Sequence, residues 1–456
     1  MKSSFYPLPG PLSRNPASQP VLRILNAALD AVDPDKIVRR SVHAQGDQVT
    51  IAGTAYKLSP SARVVVLAVG KASLAMARGL AGRLKNRIAG GIVVTKMLLE
   101  GSKNYYGPLE IYQGNHPVPG KGSLEAGSAA VRALGGLAPD DLVICLISGG
   151  GSALLALPVP GVSLEDLAEL TRLLLACGAS IHEINTLRKH LDQVKGGRLA
   201  QLASPAKVVT LVLSDVVGNS LETIASGPTV PDPTRFSDAL EVIHRYRLET
   251  KVPASILSAL KAGAAGTIPE TLKPGELGSR GSAAHLVGSN LIAARAAVLQ
   301  AKREGFHACL LTTHLEGEAR QVGIFLAAVA KEIAASGHPI RTPACVVAGG
   351  ETTVTLVGNG KGGRNQEVAL GAVRALDGLP GAVLVTLATD GEDGPTGAAG
   401  AVITGDTCQQ GAALGMKPEE YLQRNDSYEY FSRTGGLLFT GSTGTNVNDL
   451  AFIFIE

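Results

Sequence analysis

Several apolar runs in this chain of 456 residues end on groups that can do chemistry. Lys71 follows "RVVVLAVG", the loop Ser148, Gly149, Gly150, Gly151, Ser152 follows "DLVICLI", Asp215 follows "KVVTLVLS", and Asp390 follows "AVLVTLAT". In an open parallel sheet ligands bind beyond the carboxyl ends of the strands, so a site is expected at these positions. Three consecutive glycines cost conformational entropy on folding. One return is bare backbone N–H groups that take an anion, phosphate above all. Lys71, with Gly70 before it, opens a helical pattern ("GKASLAMA") where its charge meets the positive end of the helix dipole, a penalty that a bound anion reverses. The plainer alternatives are a lysine stem that reaches solvent and aspartates that cap the next helix.

The segment "GNGKGGRNQEVAL" sets Lys361, Gly363 and Arg364 at the start of another helix. Gly358, Gly360 and Gly363 also satisfy GxGxxG. However, "ACVVAGGETTVTLVGNG" reads as two strands joined by a Gly-Gly turn rather than a βαβ start, so a basic anion clamp fits better than a dinucleotide fingerprint. "TDGEDGP" gathers Asp390, Glu392 and Asp393 in one loop, suited either to a hard cation such as Mg²⁺ or to a solvated turn. Asp215, with Asn219 four residues on, is a second candidate metal ligand or general base. In "INTLRKHLDQVKGGRL", Arg188 and Lys195 fall on one face of a predicted helix and could line an anionic pocket, whereas Arg188 paired with Asp192 is the structural alternative. His182 and His190 are expected to be structural. No HExxH, GxSxG or Walker A motif occurs.

The elements that must hold these residues recur as a short β-rich apolar run, a Gly-rich turn and an amphipathic segment. Strands apolar throughout and alternating with helices imply a mainly parallel, doubly wound α/β sheet covered on both faces. From Ala262 to about Ser282 the chain is rich in turn formers and reads as a linker. This divides a larger Rossmann-like domain over 1–275 from a smaller α/β/α domain with a mixed sheet over 283–456, the latter beginning with "AHLVGSN".

Composition excludes some classes. With 45% hydrophobic and 18% charged residues the chain can bury large cores, and a net charge of +3 without a basic block gives no support to nucleic-acid binding. Five separated cysteines without a CxxC pattern read as reduced thiols. No uncharged apolar run could span a bilayer, and the first twenty residues lack the apolar core of a signal peptide, so no membrane contact and a cytoplasmic location are expected.

Taken together, "AVGKAS", "NHPVP", "SGGGSALL", "INTLRKHLDQVKGGRLA", "LSDVVGN", "IASGPTVPD", "GGETTV", "GGRNQE", "ATDGEDGPT" and "GTNVND" resemble the glycerate 2-kinases, the two-domain class with a C-terminal MOFRL domain. The likeness runs in order from about Val21 to Glu456. It implies transfer of the ATP γ-phosphoryl group to the 2-hydroxyl of D-glycerate, with Mg²⁺ or another divalent cation and an active site in the cleft between domains. The lysine of the family's GKAS motif falls on Lys71 and the arginine of GGRNQE on Arg364. Lys71, Arg364 and Asp215 are then the expected catalytic residues. Gly70, Ser148 to Ser152, Arg188, Lys195, Asn219, Glu351, Lys361 and Gly363 are expected at substrate or phosphate, and Asp215 and Asp390 at the metal. A homodimer is compatible with all of this. The rival functions are an NAD(P)H-dependent hydroxypyruvate reductase, supported only by GxGxxG, and a non-catalytic sensor of a phosphorylated metabolite.

Overall fold

The computed structural model describes residues 9–13, 18–97, 105–276 and 282–456. The chain forms two compact units, one over Pro34–Val287 and the other joining the chain up to Asp33 to Gly288–Glu456.

In the first unit a small antiparallel meander, β1 (Val42–Gln45), β2 (Gln48–Ile51) and β3 (Thr54–Lys57), precedes a seven-stranded sheet. That sheet contains β4 (Val64–Val69), β5 (Ile88–Thr95), β6 (Tyr105–Tyr106), β7 (Leu109–Gln113), β8 (Leu142–Ser148), β9 (Lys207–Leu213) and β10 (Ala283–Gly288), in the order β10-β9-β8-β4-β5-β7-β6. β9, β8, β4, β5 and β7 pair in parallel, and β6 pairs antiparallel to β7. Every residue of β4 and β8 is buried, as expected for strands covered on both faces. From β4 the chain builds outward to β5 and β7, then returns to place β8 on β4's other side. The β4/β8 pair is therefore the topological switch point, where ligands bind in such sheets.

The second unit carries a mixed sheet of β11 (His307–Leu315), β12 (Ala344–Gly350), β13 (Ala382–Ala388), β14 (Gly400–Thr404), β15 (Leu437–Leu438) and β16 (Asp449–Ile455). Its order is β11-β12-β16-β13-β14-β15, with only β11/β12 parallel. The helices Ala319–Ser336 and Arg364–Val373 pack closely because glycines face backbone: a Cβ on Gly323 would stand 2.0 Å from the Val368 carbonyl oxygen.

Four expectations need correction. Helix Ser18–Ala31 packs on helix Asn290–Arg303, tied by an Arg23–Glu304 ion pair (2.7 Å), so the chain up to Asp33 does not belong with the rest of 1–275. "AHLVG" forms β10 beside β9 and closes the first sheet instead of opening the second. The expected linker is largely structured: Ala262–Ala264 end a helix, Thr271 and Leu272 are buried, and Leu272 exchanges backbone hydrogen bonds with Gly196 and Asp232. Its residues 277–281 lie outside the described residues. Finally, no second strand follows β12, because residues 351–363 form a loop anchored by side chains of the segment around Asn425 and Asp426.

Candidate active site

The switch point is welded by backbone. The Lys71 N–H donates to the Gly149 carbonyl (2.9 Å) and the Ala72 N–H to the Ser148 hydroxyl (3.0 Å), which ties the carboxyl ends of β4 and β8 together. Gly70 has φ +124°, and a Cβ there would lie 2.4 Å from the Ser148 carbonyl oxygen, so conformation and close approach both demand glycine. A Cβ on Gly150 would come within 3.3 Å of both Lys71 Cγ and the His116 ring nitrogen Nε2. Lys71, His116 and Gly150 therefore converge. A Cβ on Gly149 would stand only 1.8 Å from Asp215 Oδ2, so this carboxylate lies directly on the loop's bare backbone.

The helix expected after the glycines is a single turn, Gly151–Leu154. A single turn carries little helix dipole, so an anion here would have to be attracted by local N–H groups and Lys71. Among the described residues no backbone hydrogen bond uses the N–H of Gly150, Gly151 or Ser152. The Ser152 and Ser226 hydroxyls are hydrogen-bonded (2.8 Å). Ala225 and Ser226 both hold left-handed φ values, +52° and +59°, a strained pair of the kind concentrated at functional sites. Asn219, also left-handed, donates its N–H to Val216 in a tight turn.

A cavity of about 260 Å³ opens beside Gly150, with His116, Ser152, Arg188 and Lys195 among its lining residues. The helix carrying Arg188 ends at His190, so Arg188 and Lys195 do not share a helical face as expected; the returning chain brings both to the cavity. Lys195 is buried and tethered to Asp192 (2.5 Å) and the Leu155 carbonyl (2.8 Å). Asp192 is thereby committed to Lys195 and does not pair with Arg188. Burial lowers the pKa of Lys195, against the pull of Asp192, and burial alone lowers that of Arg188. Burial, then the charges of Lys71 and Lys96, push His116 down to about 4, so it is neutral at physiological pH. His190 is buried and held between the Thr186 carbonyl (2.7 Å) and Glu270 (3.2 Å).

In the second unit Arg364 opens helix Arg364–Val373 and is clamped by two carboxylates. Asp449, the first residue of β16, takes Nε (2.5 Å) and a terminal nitrogen (3.3 Å), and Glu351, just after β12, takes the other terminal nitrogen. Burial works against the guanidinium charge, but Asp449 and Glu351 outweigh it and hold Arg364 protonated. Asp449 itself is pushed up to about 7 by burial, with Arg364 pulling the other way. Glu351, expected at substrate or phosphate, is paired with Arg364.

The cluster in "TDGEDGP" divides. Asp393 is buried and accepts the N–H groups of Asn365 (3.0 Å) and Gln366 (2.9 Å), capping the Arg364 helix over the bare backbone of Gly363. The Asp390 carboxylate accepts the Glu392 N–H (3.1 Å) and the Asp390 carbonyl accepts the Thr443 N–H (3.2 Å), and Glu392 is exposed. Lys361 extends over the Tyr428 ring (4.6 Å). Gly358 and Gly360 are glycines because Arg424 and Asp426 pack on them, and β12 ends eight residues earlier, so GxGxxG has no strand-turn-helix context. Sequence reasoning did not single out His116, Ser226 or Asp449, and it read Asp393 as a possible cation ligand rather than a helix cap. The motifs "NHPVP", "IASGP" and "GTNVND" contained the signal, but their partners are remote in sequence.

The chain matches the family described as a domain of unknown function (DUF4147) over residues 20–261 and the MOFRL family over residues 344–449. It is 44% identical over 415 residues to D-glycerate 2-kinase of Thermotoga maritima, covering 91% of this chain and 96% of that one. It is 42% identical over 435 residues to glycerate 2-kinase of Pyrococcus horikoshii, covering 95% and 96%. A putative hydroxypyruvate reductase of Agrobacterium vitis is 40% identical over 441 residues, covering 96% and 94%. The crystal structure of glycerate kinase from Thermotoga maritima matches with a TM-score of 0.85 at 41% identity, covering 96% of this chain and 99% of that one. With both domain matches in order and similarity along nearly the whole length, the chain belongs to the two-domain glycerate 2-kinase family with a C-terminal MOFRL domain.

Proposed function

We infer that this chain transfers the γ-phosphoryl group of ATP to the 2-hydroxyl of D-glycerate, giving 2-phosphoglycerate and ADP. The observation that carries this is the switch point, where Lys71 is docked by its own backbone onto the Gly-rich loop and Asp215 rests on Gly149. Phosphoryl transfer needs positioning and charge neutralisation more than covalent chemistry, and a cation, bare N–H groups and a carboxylate are the parts required. The C2 oxygen bonds to the γ-phosphorus as the bond from that phosphorus to the bridging oxygen breaks. ADP leaves with the electron pair, and the hydroxyl proton passes to Asp215. Lys71 and the N–H groups of Gly149 to Ser152 neutralise the transferring group, and Arg364 is assigned to the phosphates.

Among the described residues no three His, Cys, Asp or Glu side chains gather to hold a metal. That suits a cation bound mainly by phosphate and water, which needs only one or two protein carboxylates. Asp390 is assigned that contact, leaving Asp215 for the proton. Mg²⁺ or another divalent cation would supply charge neutralisation at the phosphate oxygens. No helix among the described residues is long and apolar enough to cross a membrane, and the five cysteines are free; both support a cytoplasmic assignment.

The test is incubation with D-glycerate, ATP and Mg²⁺, separating 2-phosphoglycerate from 3-phosphoglycerate by ³¹P NMR. The 2-isomer is expected. Absence of both product and ADP would overturn the assignment, and oxidation of NADH by hydroxypyruvate would favour the reductase reading.

A further inference from the structure

Arg188 is an anomaly in a well-paired region. Of the buried cations around it, Lys189 holds Asp232 (2.7 Å) and Lys195 holds Asp192 (2.5 Å). The Arg188 guanidinium makes no hydrogen bond or ion pair among the described residues, and it lines the cavity beside Gly150. Arg188 is half-buried, and a partly desolvated charge without a partner carries a cost that an anion in the cavity would offset. Asp192 cannot serve, because its oxygens already take Lys195, the Val194 N–H (2.9 Å) and the Leu157 N–H (3.3 Å).

The remaining wall differs in character. Leu167, Leu170, Leu174 and Ile184 face the same cavity, and Leu170, Leu174 and Ile184 are fully buried in the apolar cluster behind it. The volume of about 260 Å³ equals roughly nine waters at their share of the liquid, which leaves room for acids larger than glycerate.

We propose that this cavity is the acceptor subsite, in which Arg188 holds the carboxylate of a 2-hydroxy monocarboxylic acid and the leucine wall receives its C3 substituent. The proposal rests on the kinase assignment and extends it to a substrate class. Gly150 and His116 line the same cavity, and Lys71 passes Gly150, so an acid anchored by Arg188 sits in the pocket that adjoins the phosphate loop. Thr171 stands in the same wall, but its hydroxyl proton is given to the Leu167 carbonyl (2.8 Å). The other side chains there are hydrocarbon, and such largely apolar pockets discriminate weakly between a hydroxyl and a methyl group. Acids with an apolar C3 substituent therefore bind within about a hundredfold of D-glycerate.

The test is calorimetric titration of the full chain, without nucleotide, with D-glycerate and with (R)-2-hydroxybutyrate. Wild-type protein is expected to bind both with affinities within about a hundredfold of each other. Arg188→Gln should weaken both by roughly tenfold to a hundredfold, and Arg188→Lys by less, with the KM for ATP unchanged. Equal binding by wild type and Arg188→Gln, or no binding of either acid by wild type, would overturn the proposal; rejection of 2-hydroxybutyrate alone would overturn the wall assignment. The ³¹P assay is separate: acids bound through Arg188 but never phosphorylated would uphold the pocket and reject the kinase reaction.

Discussion

Replacing Gly149 by Ala tests whether Asp215 acts from where the loop holds it. The new Cβ would stand 1.8 Å from Asp215 Oδ2 and 2.3 Å from its Cγ. To reach ordinary contact at 3.4 Å the oxygen must retreat by about 1.6 Å. It can do so, because the obstructing atoms are the tip of a side chain and Gly149 is not in the left-handed region. Removing a glycine also stabilises by about 0.4–1 kcal/mol through the unfolded chain, which offsets residual strain, so the thermal melt should barely move. A catalytic group misplaced by more than about 1 Å costs on the order of a hundredfold in rate, or about 2.7 kcal/mol of barrier. Coupled measurement of ADP release should therefore show kcat down by about a hundredfold in Gly149→Ala. Adding Asp215→Asn should cost little more, since both changes act through one carboxylate. A kcat within about threefold of wild type, with the melt unchanged, would refute the role given to Asp215.

Lys71→Ala should lower kcat by about a hundredfold to a thousandfold while the melt stays put, because the Lys71 backbone holds the loop and its side chain is free to go; near-normal turnover would remove it from the site. Asp449→Asn should cost about 1–3 kcal/mol in chemical denaturation and reduce kcat, since it strips Arg364 of its two-pronged partner; unchanged stability would mean Glu351 alone suffices. His116, lowered to about 4 from an ordinary value near 6.5, resists protonation in the folded state. Between about pH 6.5 and pH 4 the unfolded chain binds a proton that the folded chain does not, so stability falls as the pH drops through that window. His116→Gln should flatten this slope in denaturation series, and identical slopes would refute it.

What was legible in the sequence was what depends on local pattern. Buried strands on both faces leave continuous apolar runs, so β4, β8, β9 and β13 and the polar residues at their ends could be found from the chain alone. The same logic failed where a segment's partner decides its state. "TTVTLV" has the composition of a strand, yet no strand pairs with it, because β16 takes β12's free edge and the loop is fixed by Asn425 and Asp426. "AHLVG" is a strand in either unit, and only β9's open edge assigns it to the first.

The site divides in the same way. By itself the sequence determined that Lys71, the Ser148–Ser152 loop and Asp215 stand at strand ends, since residue order along a strand is order in space. The tertiary structure decided which of them meet. Sheet order made β4 and β8 neighbours, which put Lys71 on Gly149. A carboxylate 85 residues away, Asp449, fixed Arg364, while Asp393 turned inward to cap a helix instead of holding a cation. Charge pairing inside a protein is a competition among groups remote in sequence, and only the fold sets the distances that decide it. That competition gave Asp192 to Lys195 and left Arg188 facing a cavity.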